Sequence, residues 1–365
     1  MPKPFVTVLI DTFNHERFID EALVSVLEQD FPREDAEVIV VDDGSTDRTP
    51  EIITRFAPRV RLLRKANGGQ ASAFNAAIPE ARGEIVAFLD GDDWWAPGKL
   101  KRVAEAMAAN PSLGIVGHGI VMVHRDGRQQ TEVLREGFHF RANTPEGARL
   151  FRLRQSLMGT SRMTIRADLL RRIGLVPPAV RIQADAYLFT LAAVLAEASI
   201  LPEALTYYRY HDQNGFQLAA TDPARLRNKQ ISLDALAKSI AVQLEKHGID
   251  RAVARLITSP VQAEADQIRL ILDGGSPLET LRTEWMLYDI HHPSATAAQR
   301  FAKRVALLPA LFLPPRAYYN FRDRAVENPI YRSLSDRMGG GGRAHVENEW
   351  RSSPSSPRST AAHKT

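Results

Sequence analysis

The sequence predicts an α/β fold built on a mostly parallel central sheet, followed by a helical carboxyl-terminal region. Three observations carry this reading. A strand, a helix and a second strand follow one another at the start of the chain. Two apolar runs, residues 38–41 and 85–89, each end abruptly in clustered aspartates. Beyond residue 222 the apolar residues fall at three- and four-residue spacing, the period of helices.

The first strand is Phe5-Val6-Thr7-Val8-Leu9-Ile10, β-branched and bounded by Pro4 and Asp11. Residues 17–29 carry Phe18, Ile19, Ala22, Leu23, Val26 and Leu27 on one helical face. Glu37-Val38-Ile39-Val40-Val41 is the second strand and runs into Asp42-Asp43-Gly44-Ser45-Thr46-Asp47. Strand, helix and strand at this spacing form a βαβ unit, which implies parallel pairing and a right-handed crossover. Ile85-Val86-Ala87-Phe88-Leu89 ends in Asp90-Gly91-Asp92-Asp93-Trp94-Trp95, with three carboxylates in four residues. Like charges this close repel, so folding alone gives no reason for them. A divalent cation offsets the repulsion, and hard carboxylate oxygens suit Mg2+ or Mn2+. The plain alternative is a solvated acidic turn. In open α/β sheets ligands bind past the carboxyl ends of strands, so two acidic strand ends on one sheet make a crevice fit for a nucleotide and a metal.

Residues 113–124 read as a further strand, and Asp126-Gly127 marks a hairpin turn before residues 129–134. Arg149, Arg152, Arg154, Arg162 and Arg166 follow, as contacts for an acidic acceptor or as a solvated face. Residues 223–247 and 249–272 read as helices, stopped by Gly248 and by Asp273-Gly274-Gly275. The apolar stretch from Val305 to Leu313 is short and lies among Arg300, Lys303, Arg304, Arg316 and Arg322. It suits either a membrane interface or a helical hairpin with its cations in water. A Gly- and Ser/Pro-rich tail, 338–365, reads as disordered.

Several ordered blocks resemble the family 2 inverting glycosyltransferases. They are Val8-Leu9-Ile10-Asp11-Thr12-Phe13-Asn14, Ser25-Val26-Leu27-Glu28-Gln29, Val40-Val41-Asp42-Asp43-Gly44-Ser45-Thr46-Asp47, Asn67-Gly68-Gly69 through Asn75, Ala81-Arg82-Gly83-Glu84, and Phe88-Leu89-Asp90-Gly91-Asp92-Asp93. The likeness is close over residues 4–110 and looser to about 215. It implies a GT-A fold, the nucleotide-diphospho-sugar transferase sandwich, with a catalytic domain over 1–221. Residues 1–110 would be its nucleotide- and metal-binding half and 111–221 its acceptor half. A helical region over 222–337 would follow, in which residues 300–337 suit either membrane-surface contact or a hairpin on the protein.

The resemblance also implies roles. Asp43 would accept a hydrogen bond from the donor base, as a carboxylate can from a ring N–H. Asp42 would serve base or ribose, and Thr12, Phe13, Asn14, Asn75 and Gly91 would line the nucleotide-sugar pocket. Asp90 would face ribose or metal, and Asp92 and Asp93 would hold Mn2+ or Mg2+ against the diphosphate. In Arg181-Ile182-Gln183-Ala184-Asp185-Ala186, Asp185 would be the base that deprotonates the acceptor hydroxyl, or else only a helix-start residue. In Tyr207-Tyr208-Arg209-Tyr210-His211, His211 would complete the metal shell or contact the diphosphate, or be part of an alternating strand. Trp94 and Trp95 would floor the acceptor site or belong to the core. The chain departs from the family pattern at Asp11 (usually Pro), Phe74 (commonly Arg), Ala77 (frequently Gly) and Ala184 (usually Glu).

The implied activity is metal-dependent transfer of a sugar from a nucleotide diphosphate, a UDP-sugar by preference, to a cell-surface polysaccharide or lipid-linked precursor. The alternative is a degenerate nucleotide- or partner-binding protein, supported by Ala184 alone. A nucleotidyltransferase or dinucleotide oxidoreductase needs glycines that Asp11-Thr12-Phe13-Asn14-His15-Glu16-Arg17 lacks. The absence of cysteine removes disulfides, thiolate metal sites and a thiol nucleophile. A net charge of +4 without a basic stripe does not argue for nucleic acid. No apolar run approaches the length of about 20 residues that spans a bilayer, and a signal peptide is not apparent. The expected location is the cytoplasm, peripheral at the inner face of the cell membrane.

Overall fold

The computed structural model describes residues 5–211, 222–292 and 295–327. The predicted tail, 338–365, lies outside the described residues. Among those described, ten strands form one sheet: β1 (Val6–Thr12), β2 (Ala36–Asp42), β3 (Arg61–Arg64), β4 (Ile85–Asp90), β5 (Trp94–Trp95), β6 (Leu113–Val123), β7 (Gln129–Glu132), β8 (Phe138–Phe140), β9 (Thr164–Arg166) and β10 (Glu197–Arg209). Their order is β3-β2-β1-β4-β9-β6-β10-β5, with β7 beside β6 and β8 beside β10.

The half of the sheet formed by β3, β2, β1 and β4 is wholly parallel. Its registers pair Thr12 with Asp42 and Asp11 with Asp90. Three acidic or hydroxyl-bearing strand ends are thereby brought to one edge. The other half is mixed: β9 runs antiparallel to both β4 and β6, while β6 and β10 are parallel. The expected parallel arrangement thus describes the first half, and short antiparallel strands complete the second.

Burial explains the apolar runs. Val6, Val8, Leu9, Ile10 and residues 85–89 are all inaccessible, as expected of strands covered on both faces. On one face Val8, Ile10, Ala87 and Leu89 join Ile19, Leu23, Val103 and Met107 from helices Ile19–Leu27 and Lys99–Ala109. On the other, Phe88 meets Phe74 of helix Gln70–Ala77 edge to face at 5.2 Å. Phe74 and Ala77, two of the departures from the family pattern, are therefore core residues, both fully buried. Helix Ala184–Leu195 is buried from Tyr187 onward, and a helix apolar all round belongs inside a domain.

The Ala81-Arg82-Gly83-Glu84 block is a latch between strands. Thr7 Oγ1 donates to Glu37 (2.7 Å), Gly83 N donates to Thr7 Oγ1 (2.8 Å), and Arg82 Nε donates to Glu37 (2.9 Å). A Cβ on Gly83 would lie 2.4 Å from Thr7 N and 2.7 Å from Ile85 O, both backbone atoms that cannot yield.

The described residues form two compact units that divide between Ala265 and Asp266. Helix Pro223–Lys246 packs on Ala184–Leu195 within the first. The described part of the second is helical: the end of Arg251–Asp273, then Pro277–His291, Ala297–Ala306, Pro309–Phe312 and Pro315–Glu327. Ser276 with Glu279 and Thr296 with Gln299 form capping boxes at two of these starts. Leu270, Leu307, Ala310, Tyr318 and Tyr319 make this unit's small core. Among the described residues no helix is long and apolar enough to cross a membrane.

Gly83→Ala is expected to destabilise the first unit by about 1–3 kcal/mol, the usual cost of overpacking. Urea unfolding followed by circular dichroism would measure it, and an unchanged midpoint would refute the latch.

Candidate active site

The site begins with the loop after β1. Its backbone is tied to the loop after β2: Asn14 N donates to Ser45 Oγ (2.8 Å), Thr46 N to Asn14 Oδ1 (2.9 Å) and His15 N to Thr49 Oγ1 (2.9 Å). Asn14 adopts φ 56°, a left-handed conformation Asn tolerates better than most residues. Phe13 stands 42% exposed on this loop. Asp42 accepts from Ser45 N and Arg64 Nε, at 2.9 and 3.0 Å. Asp43 accepts from Lys65 Nζ (2.6 Å), Gly68 N (3.1 Å) and Gly69 N (2.7 Å). Both aspartates therefore fasten neighbouring loops, and Asp43 has little acceptor capacity left for a base.

The second component is the acidic turn after β4. Asp90, Asp92 and Asp93 each offer an oxygen, all within 4.8 Å of one another. Asp93 accepts from Ser161 Oγ (2.6 Å) and Arg209 N (3.0 Å), which makes it the least open of the three to a cation. Asp92 Oδ2 lies 2.8 Å from His211 Nε2 and 3.8 Å from His15 Nε2. Gln70 Nε2 reaches Asp90 Oδ1 at 3.4 Å. Asp11, paired in register with Asp90, holds Oδ1 buried without a hydrogen-bond partner.

The electrostatics follow from this crowding. Burial, then the charges of Asp92 and Asp185, push the Asp11 carboxyl up to about 8. Burial and Asp92 push Asp93 up to about 8. Asp90 is raised well above the usual carboxylate range by burial, then by Asp11, Asp92, Asp93 and Asp185. Asp92 goes the other way: burial raises it, but the His211 hydrogen bond and the two histidines hold it below the ordinary value. Burial lowers His15 despite Asp92. The carboxylate and imidazole donors present suit Mn2+, and the carboxylates alone suit Mg2+.

Asp185 is the third component. It lies in the first turn of Ala184–Leu195, after Gln183 at φ 59°. Its oxygens accept from Thr160 N (3.1 Å) and Ala186 N (2.8 Å), and burial raises its pKa. Gln70 joins this helix start to the acidic turn: its Oε1 accepts from Ala184 N (3.0 Å) and its Nε2 donates to Thr160 Oγ1 (3.0 Å). Arg162 supplies positive charge to both Asp93 and Asp185.

Some predicted residues fall elsewhere. Asn75 bonds through both amide atoms to the backbone of Val176, at 2.8 Å each, and so fastens a loop instead of lining the pocket. Trp95 is 2% exposed, with Nε1 donating to Ser161 O (3.2 Å). It is a core residue, because alternation along the two-residue strand β5 turns it inward. Trp94 stays partly exposed, stacked on Tyr207 at 5.0 Å under Arg209. Arg166 donates to Leu113 O and Met107 O and is structural. Asp212, Gln213 and Asn214, which follow His211, lie outside the described residues.

Other residues were not singled out from the sequence. Ser161 O accepts from Trp95 Nε1, Lys99 Nζ (2.7 Å) and Thr206 Oγ1 (2.7 Å), while its hydroxyl serves Asp93 and Asp90 N. Lys99 is fully buried, 3.7 Å from the Trp95 ring, and burial drives its pKa well below the ordinary value. His15, Gln70 and Thr160 complete the group. None of them stands in a sequence pattern that marks a site.

The profile of Glycosyl transferase family 2 matches residues 7–173. An uncharacterized glycosyltransferase of Nostoc sp., alr2836, is 32% identical over 231 residues, covering 59% of this chain and 68% of that protein. Of the next two curated relatives the chain spans 36% and 62% of their length. The Staphylococcus aureus poly(ribitol-phosphate) β-N-acetylglucosaminyltransferase TarS is 39% identical over 102 residues, 27% of this chain and 18% of TarS. The crystal structure of TarS residues 1–349 with UDP-GlcNAc superposes with a TM-score of 0.54 at 20% identity, over 83% of this chain and 88% of that one. The mannosyltransferase PcManGT of Pyrobaculum calidifontis, solved with GDP-Man and Mn2+, gives a TM-score of 0.52 at 22% identity, over 97% and 89%. The fold is thus of the GT-A type.

The raised carboxyls make stability depend on pH. Asp11 and Asp93 keep their protons in the folded protein up to about pH 8 and lose them near pH 4 when unfolded. Between those limits the folded state binds more protons, so its stability falls as pH rises. Asp90 and Asp185, also raised, act in the same sense, while His15, His118 and Lys99, lowered by burial, act in the opposite one. In chelator, the melting temperature is expected to be lower at pH 8 than at pH 5, and Asp11→Asn to flatten the difference. A melting temperature that rises over this range would contradict the assignment.

Proposed function

The chain belongs to glycosyl transferase family 2, and we propose that it is a metal-dependent inverting transferase. It moves a sugar from a nucleotide-diphosphate donor, a UDP-sugar, to a hydroxyl of a cell-surface polysaccharide or lipid-linked glycan precursor. One observation carries the reading: Gln70 bridges the acidic turn and the helix start that bears Asp185, reaching Asp90 Oδ1 at 3.4 Å while accepting from Ala184 N at 3.0 Å. Acceptor chemistry and donor chemistry thereby share one crevice. The TarS structure with UDP-GlcNAc supports the donor class.

In this reading the loops after β1 and β2 bind the nucleoside, with Phe13 and Thr12 against the base, while Asp42 and Asp43 hold the neighbouring loops in place. Asp92 and His211 would hold Mn2+ or Mg2+ directly, with Asp90 and Asp93 as supporting carboxylates around it. When bound, the cation neutralises charge on the diphosphate. Asp185 takes the proton of the acceptor hydroxyl as that oxygen bonds to the anomeric carbon. The anomeric carbon–phosphate oxygen bond breaks, and the nucleotide diphosphate leaves with the electron pair. A base is most effective when its pKa lies near the working pH, and the upward shift of Asp185 goes in that direction. Thr160 N and Ala186 N fix the carboxylate, so its orientation is set before substrate arrives. Trp94, partly exposed between Tyr207 and Arg209, offers the edge of its ring to the acceptor site.

The test is calorimetric titration with UDP, GDP and dTDP, with and without Mn2+, alongside turnover of UDP-sugars. Mn2+-dependent UDP binding is expected, lost in Asp92→Ala and kept in Asp185→Asn. Turnover in Asp185→Asn should fall by about 10²–10⁴-fold, the usual contribution of a general base. A folded protein that binds none of these nucleotides would refute the reading.

The second unit supports a peripheral place at the inner face of a membrane. Phe301, Val305, Leu308 and Phe312 recur at helical spacing and are 67%, 49%, 48% and 81% exposed. No acidic residue lies between Asp289 and Asp323, whereas Arg300, Lys303, Arg304, Arg316 and Arg322 do. Apolar area with surrounding cations fits an anionic lipid surface. Co-sedimentation with phosphatidylglycerol vesicles is expected, and Phe301→Ser/Phe312→Ser should reduce it several-fold. Equal sedimentation of the two proteins would overturn this placement.

A further inference from the structure

His15 belongs to none of the roles above, yet its ring is aimed at the centre of the site. Its Nε2 lies 3.8 Å from Asp92 Oδ2, the oxygen that meets His211 Nε2 at 2.8 Å. The two imidazoles stand at 85° with centroids 6.3 Å apart, so they approach that oxygen from different directions. Each ring is held from behind. His15 Nδ1 is 3.2 Å from Thr12 Oγ1, and its backbone is fixed by Thr49. His211 packs on Phe18 at 4.5 Å. An Nδ1–H donated to Thr12 leaves the Nε2 lone pair on the Asp92 side, the arrangement by which an outer partner orients a metal-bound histidine. Gly91 makes room for it: a Cβ there would lie 2.6 Å from Thr12 Oγ1 and 3.0 Å from His15 Nδ1.

At 3.8 Å, His15 and Asp92 are too far apart to share a hydrogen bond. The separation is close to what two ligands of one ion need, since cis ligands on octahedral bonds of about 2.1 Å sit about 3 Å apart.

Resting on the metal-dependent reading above, we infer that His15 is a direct ligand of the cation, completing with Asp92 and His211 a set of two imidazoles and one carboxylate. Such a set selects a first-row transition ion over Mg2+, because imidazole is softer than the oxygens that Mg2+ demands. Ligands at three positions leave the rest of the coordination sphere to the donor's diphosphate oxygens and water.

The test is Mn2+ binding by the metal-free full-length protein with UDP, followed by electron paramagnetic resonance, with Mg2+ as competitor. Two imidazole nitrogens coupled to Mn2+ are expected in the electron spin echo envelope of the unmodified protein, and one in His15→Gln. Mn2+ affinity of His15→Gln should fall at least tenfold, since even outer-shell partners of metal ligands are worth about that much. Mg2+ affinity should change far less. A single coupled nitrogen in the unmodified protein overturns the inference, even if Asp92→Asn abolishes Mn2+ binding and so leaves the metal-dependent reading intact. Failure of the folded, unmodified protein to bind Mn2+ overturns both. Should His15→Gln not fold, the nitrogen count in the unmodified protein decides alone.

Discussion

The repulsion among Asp11, Asp90, Asp92, Asp93 and Asp185 is the constraint to which the rest of the catalytic half answers. Parallel register brings Asp11 beside Asp90, the turn after β4 adds Asp92 and Asp93, and the start of helix Ala184–Leu195 adds Asp185. Water screens little of this, because the groups are largely buried. The protein answers in three ways. Protons stay on Asp11 and Asp93 to about pH 8. Histidines flank Asp92. Donors from Gln70, Ser161, Arg209 and Thr160 reach oxygens of Asp90, Asp93 and Asp185, while Asp11 Oδ1 is left unbonded. Like-charge crowding persists in folded proteins mainly where function uses it.

The sheet makes the crowding tolerable by rigidity. β1 and β4 are apolar on both faces, so their ends cannot splay without exposing the core beneath. β5 pairs with β10 immediately after the acidic turn, and Arg209 bonds both Asp93 and the Asp92 carbonyl. The turn is therefore held at both ends. Lys99, fully buried, donates to Ser161 O, whose residue also bonds Asp93 through its hydroxyl.

Much of this was legible in the sequence, for a physical reason. Strands covered on both faces must be apolar throughout, so β1, β2 and β4 announced themselves as unbroken runs, and the acids at their ends stood out against them. Asp185 stood out only through its likeness to the family's helix-start carboxylate; its place in a first turn alone would not have marked it. Other features carried no such contrast. β9 is only Thr164-Ile165-Arg166, too short to show a period. Trp94 and Trp95 are the same residue twice, and alternation alone divides them between a stacked face and the core. Asn75 fits a family block in sequence, but its amide is spent on Val176. Asp43 likewise holds Lys65, Gly68 and Gly69. Ser161, Gln70 and Thr160 act through hydrogen bonds to residues far away in sequence, for which no spacing rule exists.

The carbonyl of Ser161 gathers donors from Trp95, Lys99 and Thr206. A carbonyl is common to all twenty amino acids, so this junction is encoded in the path of the chain and not in a letter of the sequence. Only the hydroxyl toward Asp93 depends on the residue type. Relatives could therefore differ at this position and still keep the junction, provided the bend that presents it is retained. Comparing such relatives letter by letter would overlook it, whereas comparing their backbone angles would reveal it.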